Sequence, residues 1–96
     1  MNDTSAIPSP QAGAVRERLL SLIGQILGKS PAEALLLPPD ARLSELGMSS
    51  IKMVNLMLGV EGEFDLSIPQ NDITPENFRS VMSIEALLTK LLATRR

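Results

Sequence analysis

The chain has no cysteine, no histidine, no tryptophan and no tyrosine, and its aromatic side chains are Phe64 and Phe78 alone. Without cysteine there can be no disulfide and no thiolate metal site. With histidine missing as well, neither the usual zinc sites nor a triad that activates a nucleophile can be assembled. A strong charge of either sign is also absent. Nine Lys and Arg against eleven Asp and Glu leave a net charge of −2, which argues against a nucleic-acid binder. No run approaches the roughly 18 apolar residues of a membrane span. The opening MNDTSAIPSP lacks the basic and apolar regions of a secretion signal, so cytoplasmic residence is the expectation.

What is present suits one small helical domain. Ninety-six residues with 44% apolar side chains are enough for a single core. Leu, Ile, Val, Met and Ala must fill it, and that mixture favours helices over sheets. Residues 1–9 read as a flexible tail before a domain of residues 10–94. A first helix is predicted over about 11–28, where Val15, Leu19, Ile23, Ile26 and Leu27 recur at helical spacing and Gly28 supplies the stop.

A long connection follows. Ser30-Pro31 can cap a short turn, Pro38-Pro39 ends it, and Leu35, Leu36, Leu37, Leu43 and Leu46 are expected to lie across the core. Connections this long without regular structure tend to be functional. The next helix is predicted from Ser50 to Gly62. Lys52, Asn55, Gly59, Gly62 and Glu63 form one narrow polar stripe on it, so the helix should be embedded on most of its circumference. Phe64, Leu66 and Ile68 then alternate as in a short extended segment. Thr74-Pro75-Glu76 reads as the start of a helical turn that includes Phe78. Ser80 caps a final helix over about 81–93, with Val81, Ile84, Leu87, Leu88 and Leu91 inward and Arg95-Arg96 beyond its end. The sum is an all-α bundle of four helices, three longer and one short, with a long first loop.

The serines of LSELGMSSI carry the functional question. Either can cap the helix that follows by accepting a hydrogen bond from a first-turn amide, a contribution of about 1 kcal/mol. Ser49 suits that role. Ser50 would then be available for chemistry, although no His and no obvious base adjoins it to make it a nucleophile unaided.

Leu46-Gly47-Met48-Ser49-Ser50-Ile51, the later Phe64-Asp65 pair, the Thr74–Phe78 turn and the order of helices together resemble the acyl carrier protein family, including its aminoacyl and peptidyl relatives. The resemblance covers about residues 12–92 and implies a four-helix bundle of acyl-carrier type. It implies that Ser50 is the attachment point for 4′-phosphopantetheine, donated by coenzyme A through a separate phosphopantetheinyl transferase with release of adenosine 3′,5′-bisphosphate. The thiol of that arm would hold an acyl or aminoacyl group as a thioester, loaded by a ligase or synthetase and passed to an acceptor enzyme. The sulfur that the sequence lacks would thus be imported. The carrier itself would be no enzyme, would hold no metal, and is expected to act as a monomer.

Two departures from the family pattern stand out. The Asp that usually precedes the modified serine is Ser49 here, which keeps the cap but removes a charge that transferases and their Mg²⁺ meet. Fatty-acid carriers also present acidic residues on this helix, whereas residues 51–63 here carry Lys52, Glu61 and Glu63 alone. Electrostatic steering is correspondingly weak, which points to an aminoacyl or specialised acyl carrier with a dedicated partner. Partner recognition is assigned to Met48, Ser49, Ile51, Lys52, Asn55, Gly59 and Gly62. Met48 is expected on the loop as a contact for arm or partner, and the two glycines to allow close approach. Met53 and Met57 are expected in the core. The alternative is a carrier-like helical adaptor that binds partners without modification, with Ser50 a cap and nothing more.

Overall fold

The computed structural model describes residues 11–94. The expected tail over residues 1–9 and the Arg95-Arg96 end lie outside the described residues. Four α-helices are formed: α1 (Gln11–Leu27), α2 (Pro31–Leu35), α3 (Ser50–Phe64) and α4 (Val81–Thr94). Among the described residues there is no strand, and no helix is long and apolar enough to cross a membrane. α1 is the central element and packs against each of the other three.

The inner faces follow the helical period. Val15, Leu19 and Ile23 of α1 meet Leu56, Val60 and Phe64 of α3 and Val81, Ile84, Leu88 and Leu91 of α4 in one core cluster. Arg16 ties α1 to α4 through an Nε hydrogen bond of 2.9 Å to Glu85. Arg18 bonds Glu63 at 2.8 Å and lies over the Phe64 ring, 4.5 Å from its centroid, at the far end of α3. α1 stops at Gly28, where the Lys29 amide reaches back to the Gly24 carbonyl at 2.8 Å. α2 opens with a capping box: Ser30 Oγ accepts from the Glu33 amide, and the Glu33 carboxylate accepts from the Ser30 amide at 2.8 Å. Only Ala34 of α2 is buried, close against Gly24.

The first loop crosses the core as expected, but not with every leucine. Leu37 and Leu43 are buried and Leu46 is partly so, whereas Leu35 and Leu36 are exposed, Leu36 at 81%. Successive side chains at the end of a helix point about 100° apart, so a Leu-Leu-Leu run cannot turn all its members inward. The loop is fastened at two points. The Leu43 amide donates to the Arg79 carbonyl at 2.8 Å, and the Met82 amide to the Pro39 carbonyl at 2.9 Å.

The segment after α3 also differs in part from the expectation. Phe64 is the last helical residue and Asp65 takes a left-handed conformation, φ 52°, that reverses the chain. Glu61 holds the reversal, its carbonyl accepting from the Leu66 amide and its carboxylate from the Ile68 amide at 2.8 Å. Beyond the reversal Leu66 and Ile68 still turn inward and Ser67 outward, so the expected alternation is kept without a strand, while Phe64 belongs to the helix. At Thr74 the turn forms, with Thr74 Oγ1 accepting from the Asn77 amide at 3.2 Å, and it buries Phe78. It closes one turn and stops, so the short helix of the bundle is α2. Ser80 caps α4 as read, its Oγ accepting from the Ser83 amide at 3.1 Å.

Candidate functional site

The site is built where the first loop enters α3. A single 3₁₀ turn over Leu43–Leu46 ends at Gly47, whose φ of 100° is open to glycine and strained for other residues. That reversal sends the Met48 amide back to the Leu43 carbonyl at 3.0 Å and the chain onward into the serine pair. Ser49 is the N-cap: extended at φ −83°, ψ 172°, its Oγ accepts from the Lys52 amide at 3.2 Å. Ser50 is the first helical residue, exposed, and its hydroxyl makes no hydrogen bond among the described residues. The two serines have therefore divided their roles. One holds the helix and the other is free.

An open cleft of about 580 Å³ begins at Ser50 and passes between α3 and the turn before α4. Met48, Met53, Met57, Ile73 and Phe78 give it an apolar lining, and Arg42 and Arg79 line it with positive charge. No carboxylate among the described residues lines it. No group of His, Cys, Asp or Glu among the described residues could hold a metal ion. A covalent phosphodiester fits these residues. The hydroxyl that would carry it is exposed and already free, and the amide end of a 15-residue helix is a favourable place for an anion. Among the described residues no base is hydrogen-bonded to Ser50 to activate its hydroxyl.

The residues assigned to partner recognition separate into two groups. Ser49, Ile51, Lys52, Asn55 and Gly62 are exposed around the start and open side of α3, with Ile51 at 76%. Met48 is different: at 6% exposure it belongs to the core, because the Gly47 reversal directs its side chain inward, and it reaches the site as a wall of the cleft. Gly59 also departs from the expectation. It is partly buried and faces α1, where a Cβ would stand 3.4 Å from Leu22 Cδ2, so the close approach it permits is within the molecule. Gly62 has open space around it. Met53 and Met57 are partly buried against the core while also lining the cleft.

α3 is not embedded on most of its circumference. Val54 and Leu58 are exposed at 53% and 62%, and with Ile51 they make an outward apolar row. The sequence reading missed these two residues. Their spacing to Ile51, three and seven positions, was the signal that they share one face.

Comparison with known proteins agrees with this geometry. Residues 17–88 match the family model described as phosphopantetheine attachment site. Aminoacyl carrier protein 1 of Bradyrhizobium diazoefficiens is 50% identical over 74 residues, covering 77% of this chain and 81% of that protein. The aminoacyl carrier protein of Agrobacterium fabrum is 34% identical over 65 residues, 68% of this chain and 78% of its own length. Among solved structures, the carrier chain in a crystal structure of Bradyrhizobium japonicum glycine:[carrier protein] ligase complexed with glycylated carrier protein aligns with a TM-score of 0.62 and 45% identity, over 76% of this chain and 97% of that one. These matches favour a carrier over an unmodified adaptor. The chain belongs to the phosphopantetheine-bearing carrier family, as an aminoacyl carrier protein with a covalently held 4′-phosphopantetheine.

Proposed function

We propose that Ser50 is the residue that receives the phosphopantetheine, and that the loaded chain delivers an amino acid from a dedicated ligase to an acceptor enzyme without catalysing either step. The observation that carries this reading is the contrast within the serine pair. Ser49 spends its hydroxyl on the helix cap, while Ser50 presents a free hydroxyl at the exposed start of α3. When bound, the arm supplies the thiol that the sequence lacks. In the attachment the Ser50 Oγ bonds to the β-phosphorus of coenzyme A. The phosphoanhydride bond to adenosine 3′,5′-bisphosphate breaks, and the hydroxyl proton leaves to a base of the transferase.

The partner that loads the arm is inferred to be an amino acid:carrier ligase. A relative of this chain, 45% identical, is complexed with a glycine:[carrier protein] ligase, which makes glycine the first cargo to test. Its contact on this chain is inferred to be the open side of α3, centred on Ile51, Val54 and Leu58 and edged by Lys52, Asn55 and Gly62. Apolar side chains left in water on a small domain are the kind of surface that a protein partner covers. The absence of carboxylates from that row supports a dedicated partner over enzymes that read acidic carriers. A cytoplasmic setting fits the supply of coenzyme A.

Intact-mass measurement after incubation with coenzyme A and a broad-specificity transferase tests the assignment. The expected result is a gain of one phosphopantetheine in the wild type and none in Ser50→Ala. A gain that survives Ser50→Ala would move the attachment elsewhere. No gain with several transferases would return the chain to the role of an adaptor.

A further inference from the structure

Arg42 and Arg79 come from distant parts of the sequence and are brought together by the backbone. The Leu43 amide, one residue after Arg42, donates to the Arg79 carbonyl at 2.8 Å. Both side chains are exposed, and both line the Ser50 cleft as well as the neighbouring groove of about 430 Å³. They therefore stand on the divide between the two. Neither guanidinium has a hydrogen bond or ion pair among the described residues. Of the carboxylates close to them in sequence, Asp40 lines the neighbouring groove and not the cleft, and Glu45 and Glu76 line neither. Among the described residues the cleft thus combines an apolar lining with two cations that no carboxylate pairs, and no anion lines it.

The two ends of an aminoacylated arm differ in charge. The end on Ser50 is a phosphodiester anion, and the far end of an aminoacyl thioester carries an α-ammonium. An apolar cleft next to the attachment point would by itself invite the far end to fold back. We propose that Arg42 and Arg79 act as a charge filter that keeps the cationic aminoacyl end out of the Ser50 cleft while leaving it open to a neutral acyl end. The cargo is then held in solvent, where an acceptor enzyme can reach it, and the anionic end is favoured where it is already tethered. Like charges a few ångströms apart in water-like surroundings lower occupancy by about fivefold, and by more where the cleft excludes water. The inference rests on Ser50 being the attachment point.

The test uses amide-linked acetyl and glycyl analogues of coenzyme A, transferred to Ser50 and checked by intact mass. The protein carries ¹³C-labelled Met and Ile methyl groups. The measurement is made at pH about 6.5, below the α-amino range of about 7.7–8.0, so that the glycyl end is cationic. In the wild type the acetyl arm is expected to shift the methyl resonances of Met53, Met57 and Ile73, and the glycyl arm to shift them about fivefold less. In Arg42→Gln/Arg79→Gln the glycyl arm should shift them as the acetyl arm does, and in Arg42→Lys/Arg79→Lys the difference should persist. Because exposed charges are screened beyond about 3 Å at 1 M salt, the difference in the wild type should also shrink as salt is raised. That measurement decides the matter if the Gln variant does not fold. Equal shifts from the two arms in the wild type, or a difference indifferent to salt and to the Gln substitutions, would overturn the filter. Failure of the mass gain would instead overturn the attachment site itself.

Discussion

Ser49 Oγ accepts from the Lys52 amide at 3.2 Å, which fixes the start of α3 without involving the serine that follows. Stability and modification should therefore separate cleanly between two adjacent hydroxyls. Ser49→Ala is expected to cost about 1 kcal/mol in urea unfolding, the usual value of a lost cap, while still accepting phosphopantetheine. Ser50→Ala should leave the unfolding midpoint where it is and abolish the mass gain. If Ser50→Ala is the more destabilising of the two, the division of roles is wrong.

Of the described glycines, Gly24 faces the tightest approach. A Cβ placed there would lie 2.5 Å from Ala34 Cβ, closer than two such carbons can stand. Gly24→Ala would gain about 1 kcal/mol of helix propensity, yet α2 would have to move off α1, and overpacking of this kind costs about 1–3 kcal/mol. The expected net effect is destabilisation, accompanied by loss of protection in α2 amides. Gly62→Ala meets nothing within 4 Å and should stabilise by up to about 1 kcal/mol. Urea midpoints of the two variants should thus move in opposite directions.

The capping box of α2 carries a pH dependence with a definite sign. The Ser30 backbone amide, and next its hydroxyl, hold the Glu33 carboxyl below its ordinary range. A folded-state value below the unfolded one means that the contribution is complete above the unfolded value and is lost as pH falls through the folded value. Glu33 is fully solvent-exposed, so the effect is local to α2. On acidification, the Ser30 and Glu33 amide resonances should move together in one titration that Glu33→Gln removes. Titration of those amides in the Gln variant would show that another group is responsible.

The core could be read from the sequence because burial on a regular helix leaves a period. Val15, Leu19 and Ile23, or Val81, Ile84, Leu88 and Leu91, face one side and are buried there. The free side of α3 was less legible for a physical reason. Apolar spacing reveals which residues share a face, not whether another element exists to cover it. With α1 packed closely on α3 and few helices in the domain, Ile51, Val54 and Leu58 were left in solvent. Met48 lies on the loop as read, but its side chain is buried, because the sense of the Gly47 turn, and not sequence position, decides where it goes. Ser50 could be singled out in the sequence because its neighbours form a pattern, and its exposure at the start of α3 is in keeping with that, whereas the pairing of Arg42 with Arg79 depends on a backbone bond between segments far apart in the chain.

Phe64 measures the core where α1 and α3 meet. Its ring is buried among the core cluster and lies beneath the Arg18 guanidinium. Phe64→Ala should cost about 3–5 kcal/mol, as for other buried aromatic truncations. Arg18→Ala should cost far less, since its ion pair with Glu63 is largely exposed and such pairs contribute about 0–1 kcal/mol. A Phe64→Ala variant that unfolds at the wild-type midpoint would mean that the core is not organised around this ring.

Recognition by an apolar row predicts a particular response to salt. Ile51→Ser, Val54→Ser and Leu58→Ser lie on the surface and should each change stability by no more than about 0.5 kcal/mol. Against a glycine:[carrier protein] ligase such as that of Bradyrhizobium japonicum, a central member of the row should behave as an interface anchor. Its loss would then weaken binding by roughly tenfold or more, which calorimetry can read. Because the row is uncharged, raising salt should leave the association rate nearly unchanged, whereas complexes steered by opposed charges slow steeply. Lys52→Ala should likewise have little effect on that rate. A steep salt dependence, with the three Ser variants binding normally, would move recognition from α3 to the charged residues around the cleft.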